Sequence, residues 1–340
     1  MAAASPTEEH RSSENPRVTM RKQEFRQLNR IQRELEKRWK TVEFDDETLQ
    51  QLSIVQGSLF DIDQDDPIDL DPRFFLPGPV ETMEKGLEAL LQADGLEYCR
   101  WPKVPPIQNH RLQNGDELQH KNASRSAEDD AITRGGFCEL AAEKSVSGWR
   151  RHQYMPPDKI PYCSKVWTSP QNGRPCCNNF TSGRFYMWPR SSDELDYHPN
   201  VPHAMATVFD AARPRQQGLL RSELLVAAAL LKAQIRWPDR YVDHYVYPVL
   251  VMSFHGRFSA RVIQAYFHNG RIVIRSSRLV NLYTRVVSPE VRLLIRWLNS
   301  RAVGDTRLPV PEEQSFRDPV DSSVEATDVK GTLSHTIPVR

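Results

Sequence analysis

The sequence predicts an α/β fold of the α+β kind, in which a helix, a three-stranded β-meander and a second helix form the core, with helices before it and disordered tails around it. Three observations predict this. Residues 219–235 (LLRSELLVAAALLKAQI) are apolar on nearly all sides, as a helix covered by the rest of a domain must be. Residues 247–254 (YPVLVMSF) form a near-continuous apolar run, expected of a strand buried on both faces. Asn269-Gly270 separates ARVIQAYFH from RIVIRS and supplies the two positive-φ residues that a type I′ hairpin turn needs. Ser288-Pro289-Glu290 then opens the closing helix through Asn299, with Ser as N-cap and Pro at the first helical position.

The α/β domain is expected over 137–305. Before it, residues 1–20 are small, polar and charged, so disorder is expected there. Residues 21–100 read as a basic helix, an acidic linker and short helices. In the basic helix, Phe25, Leu28, Ile31, Leu35 and Trp39 recur at steps of three and four, and eight Lys/Arg stand against three Glu between Arg21 and Lys40. Such a helix either packs on the main domain with a solvated polar face or meets nucleic acid, an anionic membrane or a partner helix. Between Thr41 and Pro72 there are ten Asp/Glu and no Lys or Arg, so a solvated acidic linker is expected, one that can lie against the basic helix. Asp61, Asp63 and Asp65 alternate as in a calcium loop, but Asp66 and Pro72 occupy the places where that loop needs Gly and Glu. Residues 80–96 read as an amphipathic helix with Met83, Leu87, Leu90 and Leu91 inward and Gly95 as its stop. A disordered linker is expected over 103–134 and a disordered tail over 311–340. From Phe137 to Pro214, aromatics punctuated by Pro and Gly suggest short strands and loops.

The bulk numbers exclude some classes. A formal net charge of +1 favours neither a nucleic-acid-binding nor an acidic protein on average, although the charge is strongly segregated along the chain. No apolar run approaches the roughly 20 residues that span a bilayer. The first residues lack the layout of a signal peptide, so an intracellular protein, in cytoplasm or nucleus and not secreted, is expected, with its five cysteines reduced.

Chemistry-bearing motifs are scarce. Cys163, Cys176, Cys177, His198 and His203 cluster in sequence, but without a Cys-x-x-Cys pair they read as buried thiols and surface histidines. No nucleophile elbow, phosphate loop or dinucleotide fingerprint is present. No metal or cofactor is expected. What stands out is arginine: His244 to Pro289 contains no Asp or Glu, yet holds Arg257, Arg261, Arg271, Arg275, Arg278 and Arg285. Arg271 and Arg275 share strand parity with Val273, opposite to Ile272 and Ile274. Arg261, Arg271, Arg275 and Arg278 are therefore the candidate residues for binding an anion or a protein partner, and pairing with the acidic segment 43–71 is the alternative.

The helix-meander-helix order resembles the core of the restriction-endonuclease-like nucleases. That resemblance implies a metal site with an acidic residue in the second strand and Glu-x-Lys in the third; here 262–268 and 272–276 carry no such carboxylates. A metal enzyme of that class would need a displaced site, drawn from residues such as Glu139, Glu223 and Asp243. The block PVLVMSFHGRFSARVIQAYFHNGRIVIRSSRL, residues 248–279, resembles one in uncharacterised proteins of filamentous fungi, and that resemblance implies no activity. The sequence thus points to a non-enzymatic binding or interaction protein with a polyanion or protein partner.

Overall fold

The computed structural model describes residues 16–92, 101–102, 117–145, 150–151, 180–187, 200–215, 218–236 and 241–310, all within one compact unit, Met1–Val310. In chain order the elements are α1 (Pro16–Lys37), β1 (Glu43–Phe44), α2 (Asp46–Gln51), β2 (Ile54–Gln56), β3 (Phe75–Leu76) and α3 (Val80–Leu91). There follow α4 (Glu117–Lys144), β4 (Arg150–Arg151), β5 (Phe180–Met187), β6 (Ala204–Asp210), β7 (Leu219–Leu220) and α5 (Arg221–Arg236). The last are β8 (Val249–His255), β9 (Ser259–His268), β10 (Arg271–Ser276), β11 (Val280–Asn281), α6 (Pro289–Leu298) and β12 (Arg301–Ala302). The chain is an α/β protein, as its sequence predicts.

The central sheet has the order β2-β10-β9-β8-β6-β5-β4, with β11 beside β9. Strands β8, β9 and β10 form the expected antiparallel meander. Strands β6 and β8 are parallel, which requires a crossover, and α5 supplies it. The expected N-cap is present too: the Ser288 side chain accepts from the backbone N–H of Val291, with Pro289 opening α6.

Side-chain alternation sorts the two faces of the sheet. Ala204, Ala206, Val208, Val249, Val251, Ile263, Ala265, Phe267, Ile272 and Ile274 meet α1 and α5 in one apolar core. The opposite parity meets α4: a Cβ on Gly135 would lie 2.3 Å from Phe209 and 2.8 Å from Phe254, so the helix approaches the sheet where only glycine fits. Residues 57–76 lie on that same far face, where Phe74 N–H donates to Gln264 Oε1 (2.7 Å) and Trp297 Nε1 donates to Ile62 O (3.1 Å).

Several expectations are corrected. The α/β domain is not confined to 137–305: β2 is an edge strand of the main sheet, parallel to β10. Helix α1 packs antiparallel to α5. Arg221 Nε donates to Leu35 O (2.9 Å) at one end, and Arg21 Nη2 donates to Ile235 O (3.2 Å) at the other. Trp39 falls beyond the end of α1 and is 36% exposed, so it is not part of the buried stripe. In α3 Met83, Leu87 and Leu90 are buried as expected, while Leu91 is exposed. Residues 117–134, expected as linker, are helical; they belong to α4, whose buried Phe137, Cys138 and Ala141 anchor it against the sheet. Residues 16–20, expected to be disordered, open α1, and the remaining segments expected to be disordered, 1–15, 103–116 and 311–340, lie outside the described residues, as does the proposed stop at Gly95.

The turn at the end of the meander is a check on this register. Asn269 and Gly270 have φ of 47° and 78°, in the left-handed region. Gly270→Val places a β-branched residue there and should cost about 1–3 kcal/mol through backbone strain. Thermal unfolding should show a clear drop in melting temperature; an unchanged one would displace the turn.

Candidate functional site

The candidate arginines occupy three different environments. Arg275 has no exposed surface. Its guanidinium donates to Asp69 Oδ1 (2.5 Å), to the carbonyls of Asp71 and Pro72 (both 3.1 Å), and to those of Leu59 (3.2 Å) and Ser58 (3.3 Å). Arg278, 39% exposed, bridges Asp63 (2.6 Å) and Glu290 (3.0 Å). Arg296 donates to Asp65 (2.5 Å) and Arg73 pairs with Asp69. Residues 57–73 of the acidic segment are thus packed along the far face of the sheet by these arginines, while Asp45, Asp46 and Glu47, which follow α1, are exposed. The calcium-like aspartates are spent in the same way, with Asp63 and Asp65 each held by an arginine.

Arg261 lies on the other face, also without exposed surface, and pairs through two nitrogens with Glu223 at the start of α5. Burial pushes the Glu223 carboxyl up, but the Arg261 charge and hydrogen bonds outweigh it and hold the group below the usual carboxylate range. The pair belongs to a buried polar layer. Ser222 Oγ donates to Asp210 (2.5 Å), and on β8 the side chains of Ser253 and His255 are fully buried. Burial pushes the His255 imidazole down to about 3, so it is neutral. Of the four candidates, Arg271 is the most exposed.

The displaced carboxylate site does not assemble. Glu223 sits on the α5 face with Arg261, whereas Glu139 accepts from Thr207 on the α4 face, so the sheet separates them. Asp243 is exposed in the turn before β8. Among the described residues no three His, Cys, Asp or Glu side chains converge as metal ligands. Of the cysteine-histidine cluster, Cys163, Cys176, Cys177 and His198 lie outside the described residues. His203 is buried beside the Val303 carbonyl (3.1 Å), and burial pushes its imidazole down to about 4.

A second set of cations lies on α1. Lys22, Arg26, Arg30, Arg33 and Lys37 are exposed and recur at steps of four, four, three and four. At 100° per residue they fall within an arc of about 80°, and at 1.5 Å per residue they span about 22 Å. Lys40 continues the row just past the helix end. The opposite side, Leu28, Ile31 and Leu35, is 0–2% exposed in the core, so this helix has no apolar face to insert into a bilayer. No helix among the described residues is long and apolar enough to cross a membrane. At the N-terminal end of the row, a cavity of about 500 Å³ is lined by Val18, Arg21, Lys22, Phe25, Arg26, Ile235 and Arg236. The sequence shows this row: its cations follow the helical period as clearly as its apolar residues do.

Comparison with known proteins returns no match among family models, curated proteins or solved structures. The geometry alone carries the functional argument.

Two outcomes test the packing of the acidic segment. Arg275→Ala removes a donor from Asp69 and from four buried carbonyls and should cost about 3–5 kcal/mol, whereas Arg271→Ala should stay within about 0.5 kcal/mol. Urea unfolding of both variants reads the difference. The second outcome concerns pH. Burial raises the Asp69 carboxyl, but hydrogen bonds from Arg73 and Arg275 outweigh it and hold it below its ordinary value. Its folded pKa is therefore lower than its unfolded one, and the stability it contributes is present above the ordinary carboxylate range and lost as pH falls through it. Asp69→Asn should flatten the acid limb of a stability-against-pH curve; an identical limb would mean that the contact is not formed.

Proposed function

We propose that the chain is a non-catalytic binding protein that holds an anionic partner through the solvent face of α1. The observation that carries this is the regular row Lys22, Arg26, Arg30, Arg33, Lys37 on a helix whose apolar side is already used by the core. Charge on an exposed face is commonly mere solvation, but here its neighbours concentrate it. Glu24 faces inward to Arg17 (3.2 Å), so the half of the row from Lys22 to Arg33 has no exposed acid within it. Glu34 pairs with Lys37 (2.6 Å) at the other end. Arg271 extends the surface, because the turn before it lies against α1, with Gln27 beside Gly270.

The sheet arginines support this reading by what they are not available for. Arg261 and Arg275 have internal carboxylate partners and no exposed surface, and Arg278 is shared between two acids. Of the four, Arg271 is the most exposed. An intracellular setting fits the same reading: Cys138 is a buried free thiol whose ionisation is suppressed by burial, so it is unreactive in the folded chain.

Retention on heparin as a function of salt tests the proposal. The protein should bind at low salt, and Arg26→Ala, Arg30→Ala and Arg33→Ala combined should reduce the salt dependence by about one unit of log K per log salt for each arginine removed. Wild-type retention by the triple variant would rule out α1 as the binding face.

A further inference from the structure

Resting on that reading, we infer that the partner is a single-stranded nucleic acid, whose phosphates follow the row on α1 and one of whose bases enters the cavity at its N-terminal end. Two independent observations meet at this point. Lys22 and Arg26 belong both to the row and to the cavity wall, so a strand laid along the helix is delivered to the opening. The cavity is itself amphipathic: Val18, Phe25 and Ile235 give it an apolar lining with an aromatic ring, and Arg21, Lys22, Arg26 and Arg236 surround that lining with positive charge.

The chemistry of this combination is selective. An acidic peptide without aromatic side chains, such as polyglutamate, would match the cations but has no flat apolar group to place against Phe25. An anionic lipid surface would match the cations and the cavity, yet the rest of the helix offers no apolar side to rest on it. A duplex keeps its bases paired and stacked, so it cannot fill a pocket of this kind with a base. A single strand presents phosphates to arginine forks and an unstacked base to an aromatic wall at once, the combination that sequence-tolerant single-strand binding uses. The Phe25 ring is fixed for this role. It packs against the core cluster, and Lys232 Nζ, itself held by Gln32 Oε1 (2.7 Å), lies 5.8 Å from the ring centroid.

Fluorescence anisotropy on the full chain, with a labelled single-stranded RNA, the DNA of the same sequence, its blunt duplex and a polyglutamate peptide as probes, tests the inference beside heparin retention. The single strands should bind more tightly than the duplex or the peptide, with a salt slope of about −3 for four phosphate contacts. Phe25→Leu should weaken single-strand binding by about tenfold. It should leave heparin retention and the melting temperature near the wild-type values, and Phe25→Tyr, which keeps the ring, should restore the single-strand affinity. If Phe25→Leu lowers the melting temperature, the Tyr variant decides, and a Tyr variant as weak as the Leu variant would overturn the base pocket. Equal binding of duplex and single strand, or stronger binding of polyglutamate, would overturn the inference while the cationic face stands. Absence of both heparin and oligonucleotide binding would remove the underlying reading as well.

Discussion

Arg275 sits at the end of β10 with no exposed surface, and five acceptors surround its guanidinium: one carboxylate oxygen of Asp69 and the carbonyls of Ser58, Leu59, Asp71 and Pro72. Burying that charge is favourable only because every direction of its planar fork meets an acceptor. The consequence reaches beyond one side chain. Residues 58–59 and 69–72 are drawn to the same point, so the loop between them must lie on the far face of the sheet, where Arg278 and Arg296 take up Asp63 and Asp65. The edge strand β2 is continuous with this loop and is paired in parallel to β10 itself.

This arrangement divides the charge of the molecule. A nearly neutral chain carries a run of acids followed by an excess of arginine, and on the α4 face of the sheet Asp63, Asp65 and Asp69 pair with Arg278, Arg296 and Arg275. The cations of α1 lie on the opposite face, away from residues 57–73. Charge that looked like a property of the sheet in the linear chain is therefore structural, whereas charge that looked like the ordinary outer side of a packed helix is where the surface field lies. The exposed side chains of the acidic loop follow from the same anchoring: Ile68 and Leu70 alternate with Asp69 and Asp71, and because the aspartates turn inward the aliphatic groups stand in solvent.

Much of the core was legible because it is local. The all-round apolar helix, the apolar strand, the Asn269-Gly270 turn and the Ser288 cap each state their conformation within a few residues, and the meander follows from their order. The N-terminal contribution was not legible. Strand β2 is three residues long, and its partner lies more than two hundred positions away, so no periodicity announces it. Helix α4 is similar: its first half is polar, it contains Gly135-Gly136, and what secures it is the close fit of Gly135 on Phe209 and Phe254. Of the candidate arginines, strand parity correctly put Arg275 with Val273 and away from Ile272 and Ile274. Parity does not tell a solvent-facing side from one covered by a distant loop. That distinction needed the position of residues 57–73, which makes Arg275 an interior ion pair and Arg278 a surface one.

Hydrogen–deuterium exchange of the full chain, with and without a saturating polyanion, tests the division of charge most directly. The account predicts that added protection falls on the N-terminal half of α1 and the Asn269-Gly270 turn beside it, while residues 57–73 and the C-terminal part of β10 exchange as before. Protection appearing instead over 57–73 and 275–278, with α1 unchanged, would mean that the acidic segment yields its arginines to the ligand, and would contradict it.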